Sequence, residues 1–181
     1  METILTFLGF TTLESTVWNV IAYGFVVLLI VATLREKHRY EFFAAGATAL
    51  AVYSGLFLHN TLFTTLQIVV MISALLQVYK VSPKKSRVTL SLLTLCALIF
   101  LFLSGNLETR LDILGALGLS GIAFGIVMLP RQSAFIVMAL GGGFLTWYAF
   151  VIPVWAFFIL NMFYTGANIL QWNALRNAAP D

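Results

Sequence analysis

Long apolar stretches alternate with short polar breaks along most of this chain. Seven apolar spans can be drawn, each of 18 or 19 residues: 17–34, 41–58, 61–79, 87–104, 111–129, 132–150 and 154–172. At about 1.5 Å per residue, a helix of this length covers about 27–29 Å, which is one hydrocarbon thickness. The breaks are short, so consecutive helices must run antiparallel. The pattern therefore predicts an all-α membrane protein with seven transmembrane helices.

The second half of the chain repeats the hydropathic layout of the first. Residues 13–79 align without a gap on residues 107–173, an offset of 94 positions. Among the matched positions are Glu14 with Glu108, Gly24 with Gly118, and Leu66 with Leu160. Each half holds three spans, and the fourth span lies between them. The alignment predicts two related triple-helix bundles joined by a linker helix.

Three spans per half is an odd number, so a direct tandem copy would insert upside down. The additional fourth span reverses the chain once more and makes the two halves parallel, as in carriers whose repeats are related by an axis along the membrane normal. We therefore expect a 3+1+3 parallel repeat. Its parts are a first bundle over 13–80, a basic loop and linker helix over 81–106, and a second bundle over 107–176.

The composition agrees with lipid as the main solvent and excludes several classes of function. Hydrophobic residues make up 61% of the chain and charged residues 9%, against about 25% charged in soluble domains. A single cysteine and two separated histidines provide no disulfide and no recognisable metal or Cys–His site. No glycine-rich phosphate loop precedes a helix. We expect no enzyme activity, no metal and no cofactor.

The basic residues fall almost entirely on one side of the predicted spans. Only Arg110 lies on the other side. The nine on the first side are Arg35, Lys37, Arg39, Lys80, Lys84, Lys85, Arg87, Arg131 and Arg176. The positive-inside rule then puts the N-terminus outside and the C-terminus in the cytoplasm of a multi-pass membrane protein. The run from Lys80 to Arg87 is interpreted as a topology signal and not as a nucleic-acid site.

The N-terminal segment lacks the features of a signal peptide. Residues 1–12 have no basic stretch, since Glu2 is their only charge, and no small-residue cleavage site follows. We interpret this segment as a short interfacial one.

The last span carries a stripe of polar side chains. Asn161, Tyr164, Asn168 and Gln171 share an arc of roughly 80° on a helix. Amides and a phenol suit a small, neutral, polar solute. No Asp, Glu, Lys or Arg lies in the middle of any span, which favours facilitated diffusion over proton coupling.

The repeat also predicts what faces this stripe. Its equivalents in the third span are Gln67, Val70, Ala74 and Gln77, so the ends stay polar while the centre becomes apolar. We expect Gln67 and Gln77 to face the stripe across a site between the halves. The alternative is that these amides only join helices by hydrogen bonds, as polar side chains in membranes commonly do.

Two tryptophans are further candidates for the site. Trp172 adjoins the stripe, and Trp147 lies near the outer end of the sixth span. Either ring could stack on a solute, whereas the other interpretation is that both anchor the protein at the membrane surface, where tryptophan is common.

A 3+1+3 parallel repeat of this size resembles the SWEET, semiSWEET and PQ-loop carriers of sugars and amino acids. Closer are the PnuC-type nicotinamide riboside transporters, which the chain resembles in Leu66-Gln67 followed by a polar face and in Asn161-x-x-Tyr164-x-x-x-Asn168. In size and in its last helix it is also similar to the YgjV-like inner-membrane proteins. The chain departs from these families in having no Pro-Gln dipeptide, and in reading Leu75-Leu76-Gln77-Val78-Tyr79 where vitamin carriers have a Trp-rich end.

The resemblance implies a multi-pass carrier of a bacterial inner membrane that rocks one bundle against the other. A nucleoside-like vitamin such as nicotinamide riboside is the first expected solute, and a sugar carrier of SWEET type is the alternative. A non-transporting membrane scaffold or partner subunit is the rival from a different class. The expected partners are the lipid bilayer and the solute, with no nucleic acid, and homo-oligomerisation stays open.

Overall fold

The fold is known from a computed structural model, which describes residues 10–178. Within that range there are seven helices and no β-strand. The helices are α1 Leu13–Leu34, α2 Arg39–Val52, α3 Thr61–Val78, α4 Pro83–Leu103, α5 Arg110–Met128, α6 Gln132–Val151 and α7 Trp155–Ala178. A π-helical turn, Tyr53–Phe57, continues α2. The interfacial segment that we predict over residues 1–12 lies almost entirely outside the described residues.

The prediction of an all-helical chain with seven helices is confirmed. Five helices, namely α1, α3, α4, α5 and α6, are long and apolar enough to cross a membrane. Helix α7 continues to Ala178, beyond the predicted end of its span at residue 172, and α4 begins at Pro83 instead of 87. Both extensions add polar residues, which hydropathy alone assigns to loops.

Local sequence signals explain where several helices begin. The Thr12 and Thr109 hydroxyls each accept a bond from the backbone N–H three residues on, while the side chains of Ser15 and Asp112 accept from the backbone N–H of the capping threonine. These reciprocal pairs are capping boxes, which satisfy N–H groups that the first turn leaves unpaired. Asn60 caps α3 in the simpler way, accepting from Phe63 N at 2.9 Å.

Six of the helices form a closed ring. Helix α1 packs on α2 and α7, α2 on α3, α3 on α5, α5 on α6, and α6 on α7. Helix α4 packs outside the ring against α3 and α5 and is the least buried of the five apolar helices. A chain of antiparallel neighbours puts the loops after α1, α3 and α5 and the C-terminal part of α7 at one end, here called the basic end. The other end is called the far end.

Two glycines bring α5 and α6 into close contact. A Cβ atom at Gly141 would lie 2.5 Å from the carbonyl oxygen of Gly118, and a Cβ atom at Gly118 would lie 2.8 Å from the carbonyl oxygen of Gly141. The clash is with backbone, which cannot move aside as a flexible side chain can. Small residues at such a crossing let helices approach closely in a membrane. Gly143, two residues further along α6, has open space around its Cβ position.

We therefore expect Gly141→Ala to destabilise the fold by about 1–3 kcal/mol, because the added methyl group forces α5 and α6 apart. Gly143→Ala is the matched control, since it makes the same chemical change on the same helix with no clash. Thermal unfolding of the two variants in detergent measures the difference. Equal stabilities would mean that the α5–α6 contact does not depend on Gly141.

Candidate functional site

A small cavity lies inside the six-helix ring. Its volume is about 20 Å³, room for about one water molecule. The side chains around it come from α1, α2, α3, α5 and α7, and they are Leu29, Phe43, Leu50, Gln67, Val70, Leu119, Ile122, Leu160, Asn161 and Tyr164. In the described conformation the cavity is therefore too small for an organic solute.

Three of the predicted site residues meet at this cavity. Gln67 reaches it from α3, and Asn161 and Tyr164 reach it from α7. All three side chains are buried, with 4%, 3% and 2% of their surface exposed. Gln67 and Asn161 are separated by the repeat offset of 94, as are Val70 and Tyr164, so the two halves contribute equivalent positions to the cavity wall.

Hydrogen bonds to their own helix hold the α7 amides in place. Asn161 Nδ2 donates to Phe157 O at 2.7 Å, and Asn168 Nδ2 donates to Tyr164 O at 2.8 Å. The Tyr164 hydroxyl donates to Met138 Sδ at 3.2 Å. A thioether sulfur is a weak acceptor, so a better acceptor on a solute could replace it at small cost.

Two buried polar atoms between the cavity and the basic end lack a partner among the described residues. They are Asn168 Oδ1, on a side chain that is fully buried, and Gln77 Nε2. Leaving such an atom unpaired costs about 1–3 kcal/mol. Gln171, half-buried, lies one turn beyond Asn168 on the same helix. The predicted stripe thus forms a polar line from the cavity toward the basic end, although only its first part touches the cavity.

Between the cavity and the far end, two phenylalanine side chains fill the space between the helices. Phe63 of α3 and Phe157 of α7 stack with their centroids 4.4 Å apart and an angle of 10° between the planes. They too are separated by the offset of 94, and each lies four residues, about one turn, before Gln67 or Asn161. Both are almost completely buried. This aromatic closure was not among the predicted site residues.

Two tyrosines complete the aromatic closure. The Tyr53 ring lies 6.0 Å from that of Phe157, and the Tyr148 ring lies 5.3 Å from that of Phe63. The gapless alignment pairs Tyr53 with Trp147, yet by their contacts Tyr53 corresponds to Tyr148. A π-helical turn begins at Tyr53, whereas α6 is α-helical through Tyr148.

The two candidate tryptophans lie away from the cavity. Trp147 is 58% exposed, and its nearest aromatic neighbour is Phe150 at 6.1 Å. Trp172 is half-buried in a groove on the outer surface between α6 and α7, with the Arg176 guanidinium 5.6 Å from its ring centroid. Neither ring is among the side chains that surround the cavity.

The burial of Arg39 was not predicted from the sequence. The charge pattern places it in a basic loop, whereas the structure places it at the start of α2 with only 4% exposed. Its Nε donates to Ala32 O and Arg35 O, both at 3.1 Å, and the guanidinium lies 5.6 Å from the Phe135 ring centroid. These contacts cap the C-terminal end of α1, where a cation is favoured by the helix dipole.

Comparison of the chain with family models, with curated proteins and with solved structures finds no match. The site is therefore interpreted from its own residues. Nowhere between residues 10 and 178 do three His, Cys, Asp or Glu side chains come together as metal ligands would. The candidate site consists of buried amide and phenol groups, and the aromatic closure lies next to them on the side of the far end.

Proposed function

We propose that this protein is a membrane carrier that moves a small, neutral, polar solute by facilitated diffusion. The observation that carries the proposal is the pair of equivalent contacts around one cavity. Phe63 meets Phe157, and Gln67 and Asn161 share the cavity just beneath them. Carriers built from parallel repeats have their solute site at the interface of the two bundles, and the stacked Phe63–Phe157 pair would close such a site at the far end.

The 3+1+3 parallel repeat is part of this proposal. The ends of α1 and α5, at 34 and 128, differ by 94, and so do the starts of α3 and α7, at 61 and 155. The contacts between the halves are equivalent as well. Helix α3 of the first half packs on α5 of the second, and its equivalent α7 packs on α1, the equivalent of α5. These correspondences support two bundles over 13–80 and 107–176, with α4 as a linker outside the ring.

In this mechanism the two bundles rock against each other about the cavity. Separation of Phe63 from Phe157 opens the cavity at the far end. Separation near Phe43 and Tyr164, whose rings lie 6.3 Å apart, opens it toward Asn168 and the basic end. None of the described side chains around the cavity is a carboxylate or an amine, which supports facilitated diffusion instead of proton coupling.

The side chains favour a solute that combines a flat ring with amide or hydroxyl groups. Parallel aromatic rings provide a stacking surface, and the Gln67 and Asn161 amides lie one turn away with both donors and acceptors. Neutral nucleosides have both features, and so does the nucleoside-like vitamin nicotinamide riboside, whose pyridinium ring also carries a positive charge that aromatic faces attract. A sugar would use the same amides but gain less from the parallel rings. The proposed resemblance is accordingly to the SWEET and PQ-loop carriers, nearest to the PnuC type or the YgjV-like proteins.

One observation favours the rival function, a non-transporting scaffold or partner subunit. The cavity holds about one water, and the Asn161 and Asn168 amides bond to their own helix. A permanently packed helix interface would have the same contacts. A carrier requires the two bundles to separate and expose the cavity, whereas a scaffold does not.

The charge distribution supports an orientation with the basic end in the cytoplasm, and the proposed resemblance to bacterial carriers supports a bacterial inner membrane. Nine of the ten basic residues lie at that end, where the positive-inside rule expects them. The N-terminus would then lie outside and the C-terminus inside.

Uptake by proteoliposomes tests the function. Vesicles containing the purified protein are supplied with labelled nicotinamide riboside, uridine, glucose or sucrose. We expect saturable uptake of nicotinamide riboside that equilibrates and continues when the proton gradient is collapsed. Uptake no faster than in protein-free vesicles, for every solute, would favour the scaffold. Uptake that stops with the proton gradient would contradict facilitated diffusion.

A further inference from the structure

An apolar groove runs along the outer surface between α6 and α7, away from the central cavity. Its volume is about 540 Å³, and its walls include Phe135, Ala139, Gly143, Ile169 and Trp172. The missing side chain of Gly143 leaves open space. The neighbouring α6 side chains Ile136, Leu140 and Phe144 are all substantially exposed, and they line the groove as well.

The groove has the length of one membrane leaflet. On α6 it extends from Phe135 to Phe144, which at 1.5 Å per residue is about 14 Å. Half of a hydrocarbon core is about 15 Å. The groove starts near the basic end, because Phe135 lies in the first turn of α6 and Trp172 in the C-terminal part of α7. It therefore matches an acyl chain that enters from the leaflet at the basic end.

Positive charge lies at the entrance of the groove. The Arg176 guanidinium lies 5.6 Å from the ring centroid of Trp172, which is itself part of the groove wall. Arg131 directly precedes α6 at the same end of the bundle. Both side chains are exposed, and neither has an acidic partner among the described residues, whose one ion pair is His38–Glu41. The entrance thus presents two cationic side chains that an anionic head group could contact.

We propose that the groove between α6 and α7 binds an anionic phospholipid. One acyl chain lies along Gly143 and Trp172, and the phosphate contacts Arg176, with Arg131 adding positive charge. Basic pockets between transmembrane helices bind anionic head groups in this way. The site is independent of the central cavity, so the proposal does not depend on the transport function.

Quenching of Trp172 fluorescence by lipids with brominated acyl chains tests the proposal. Trp18→Phe, Trp147→Phe and Trp155→Phe leave Trp172 as the single tryptophan. The protein is placed in vesicles of fixed phosphatidylglycerol and phosphatidylcholine content, with bromine on one lipid or the other. We expect brominated phosphatidylglycerol to quench more strongly, with a relative affinity about fivefold higher, the effect of about one cationic side chain near an anionic lipid.

Two variants and two controls assign the effect. Arg176→Gln should reduce the preference by about fivefold, and Gly143→Leu should weaken quenching by both lipids because it fills the groove. Arg110→Gln makes the same charge change at the far end and should leave the preference unchanged. A second protein that keeps only Trp147, exposed on the same helix near the far end, should be quenched equally by both lipids.

Three results would overturn the proposal. The first is equal quenching of Trp172 by the two lipids in the parent protein. The second is a preference that Arg176→Gln does not alter. The third is a changed oligomeric state in Gly143→Leu that accompanies the weaker quenching. This change would mean that the groove holds a second copy of the chain and not a lipid.

Discussion

Proteoliposomes containing Asn161→Leu are expected to take up nicotinamide riboside at least about fivefold more slowly than those containing the parent protein. The Asn161 amide is one of two amides at the central cavity and is only 3% exposed. A solute that hydrogen-bonds there loses about 1–3 kcal/mol when the partner becomes apolar, and each 1.4 kcal/mol is a tenfold change. Leucine is close to asparagine in size, so the packing should survive.

The matched control for this substitution is Thr146→Val. The Thr146 hydroxyl donates to Gly142 O at 2.8 Å, just as Asn161 bonds to the carbonyl four residues before it. Thr146 is not among the side chains around the cavity. The control variant should transport normally, and thermal unfolding should show both variants folded. Normal uptake by a folded Asn161→Leu protein would contradict the assignment of the site.

Replacing both Phe63 and Phe157 by alanine is expected to open the cavity from the far end. The substitution removes three ring contacts, Phe63–Phe157, Phe63–Tyr148 and Tyr53–Phe157. Each aromatic pair contributes about 0.5–1.5 kcal/mol beyond its buried area. Loss of all three should therefore shift the equilibrium away from the closed form by at least about tenfold.

Labelling of a cysteine in the cavity measures this opening. The cysteine is introduced as Gln67→Cys in a Cys96→Ser background, and a membrane-impermeant thiol reagent is added at the far end. We expect the double alanine variant to label at least about tenfold faster. The control is Phe150→Ala with Phe158→Ala, which removes an aromatic pair at the same end of the bundle, with ring centroids 5.7 Å apart. Unchanged labelling in the Phe63 and Phe157 variant would mean that these rings do not close the cavity.

The number and type of helices could be predicted from hydropathy because lipid-facing and core-facing residues are both apolar in a membrane protein. Each helix is then a continuous run that ends at Gly, Pro or a charge. The helix ends were less predictable. The polar turns at Pro83 and after Trp172 are helical in the structure, since backbone hydrogen bonding continues past the point where the side chains become polar.

The polar part of the site was visible in the sequence, whereas the aromatic part was not. Gln67, Asn161 and Tyr164 contrast with their apolar neighbours, and the offset of 94 relates the first two. Phe63 and Phe157 obey the same offset, but phenylalanine in an apolar span gives no contrast. Only the contact across the ring of helices distinguishes them from the many other phenylalanines of this chain.

Two further features depended on details that periodicity cannot give. By its ring contacts, the residue equivalent to Tyr53 is Tyr148 and not the residue at position 147, and hydropathy is insensitive to a single-residue shift. The burial of Arg39 is equally invisible, because it follows Arg35 and Lys37 in a charged segment that is typical of a solvated loop. Its carbonyl partners are backbone atoms, which have no sequence signature.

The central claim is that the two bundles move relative to each other about the cavity. Pulsed electron–electron resonance between spin labels tests it most directly, with one label pair per protein in a Cys96→Ser background. The first pair is Leu56→Cys with Val151→Cys at the far end, and the second is Lys37→Cys with Arg131→Cys at the basic end. All four positions are exposed, and each pair joins the two halves.

The comparison is between the parent protein and the variant that lacks the Phe63 and Phe157 rings. The carrier account predicts that the distance at the far end increases in the variant while the distance at the basic end stays constant or decreases. Unchanged distances at both ends would contradict the account and favour a rigid scaffold. An increase at both ends would also contradict it, because it would mean that the ring of helices loosens as a whole and does not rock.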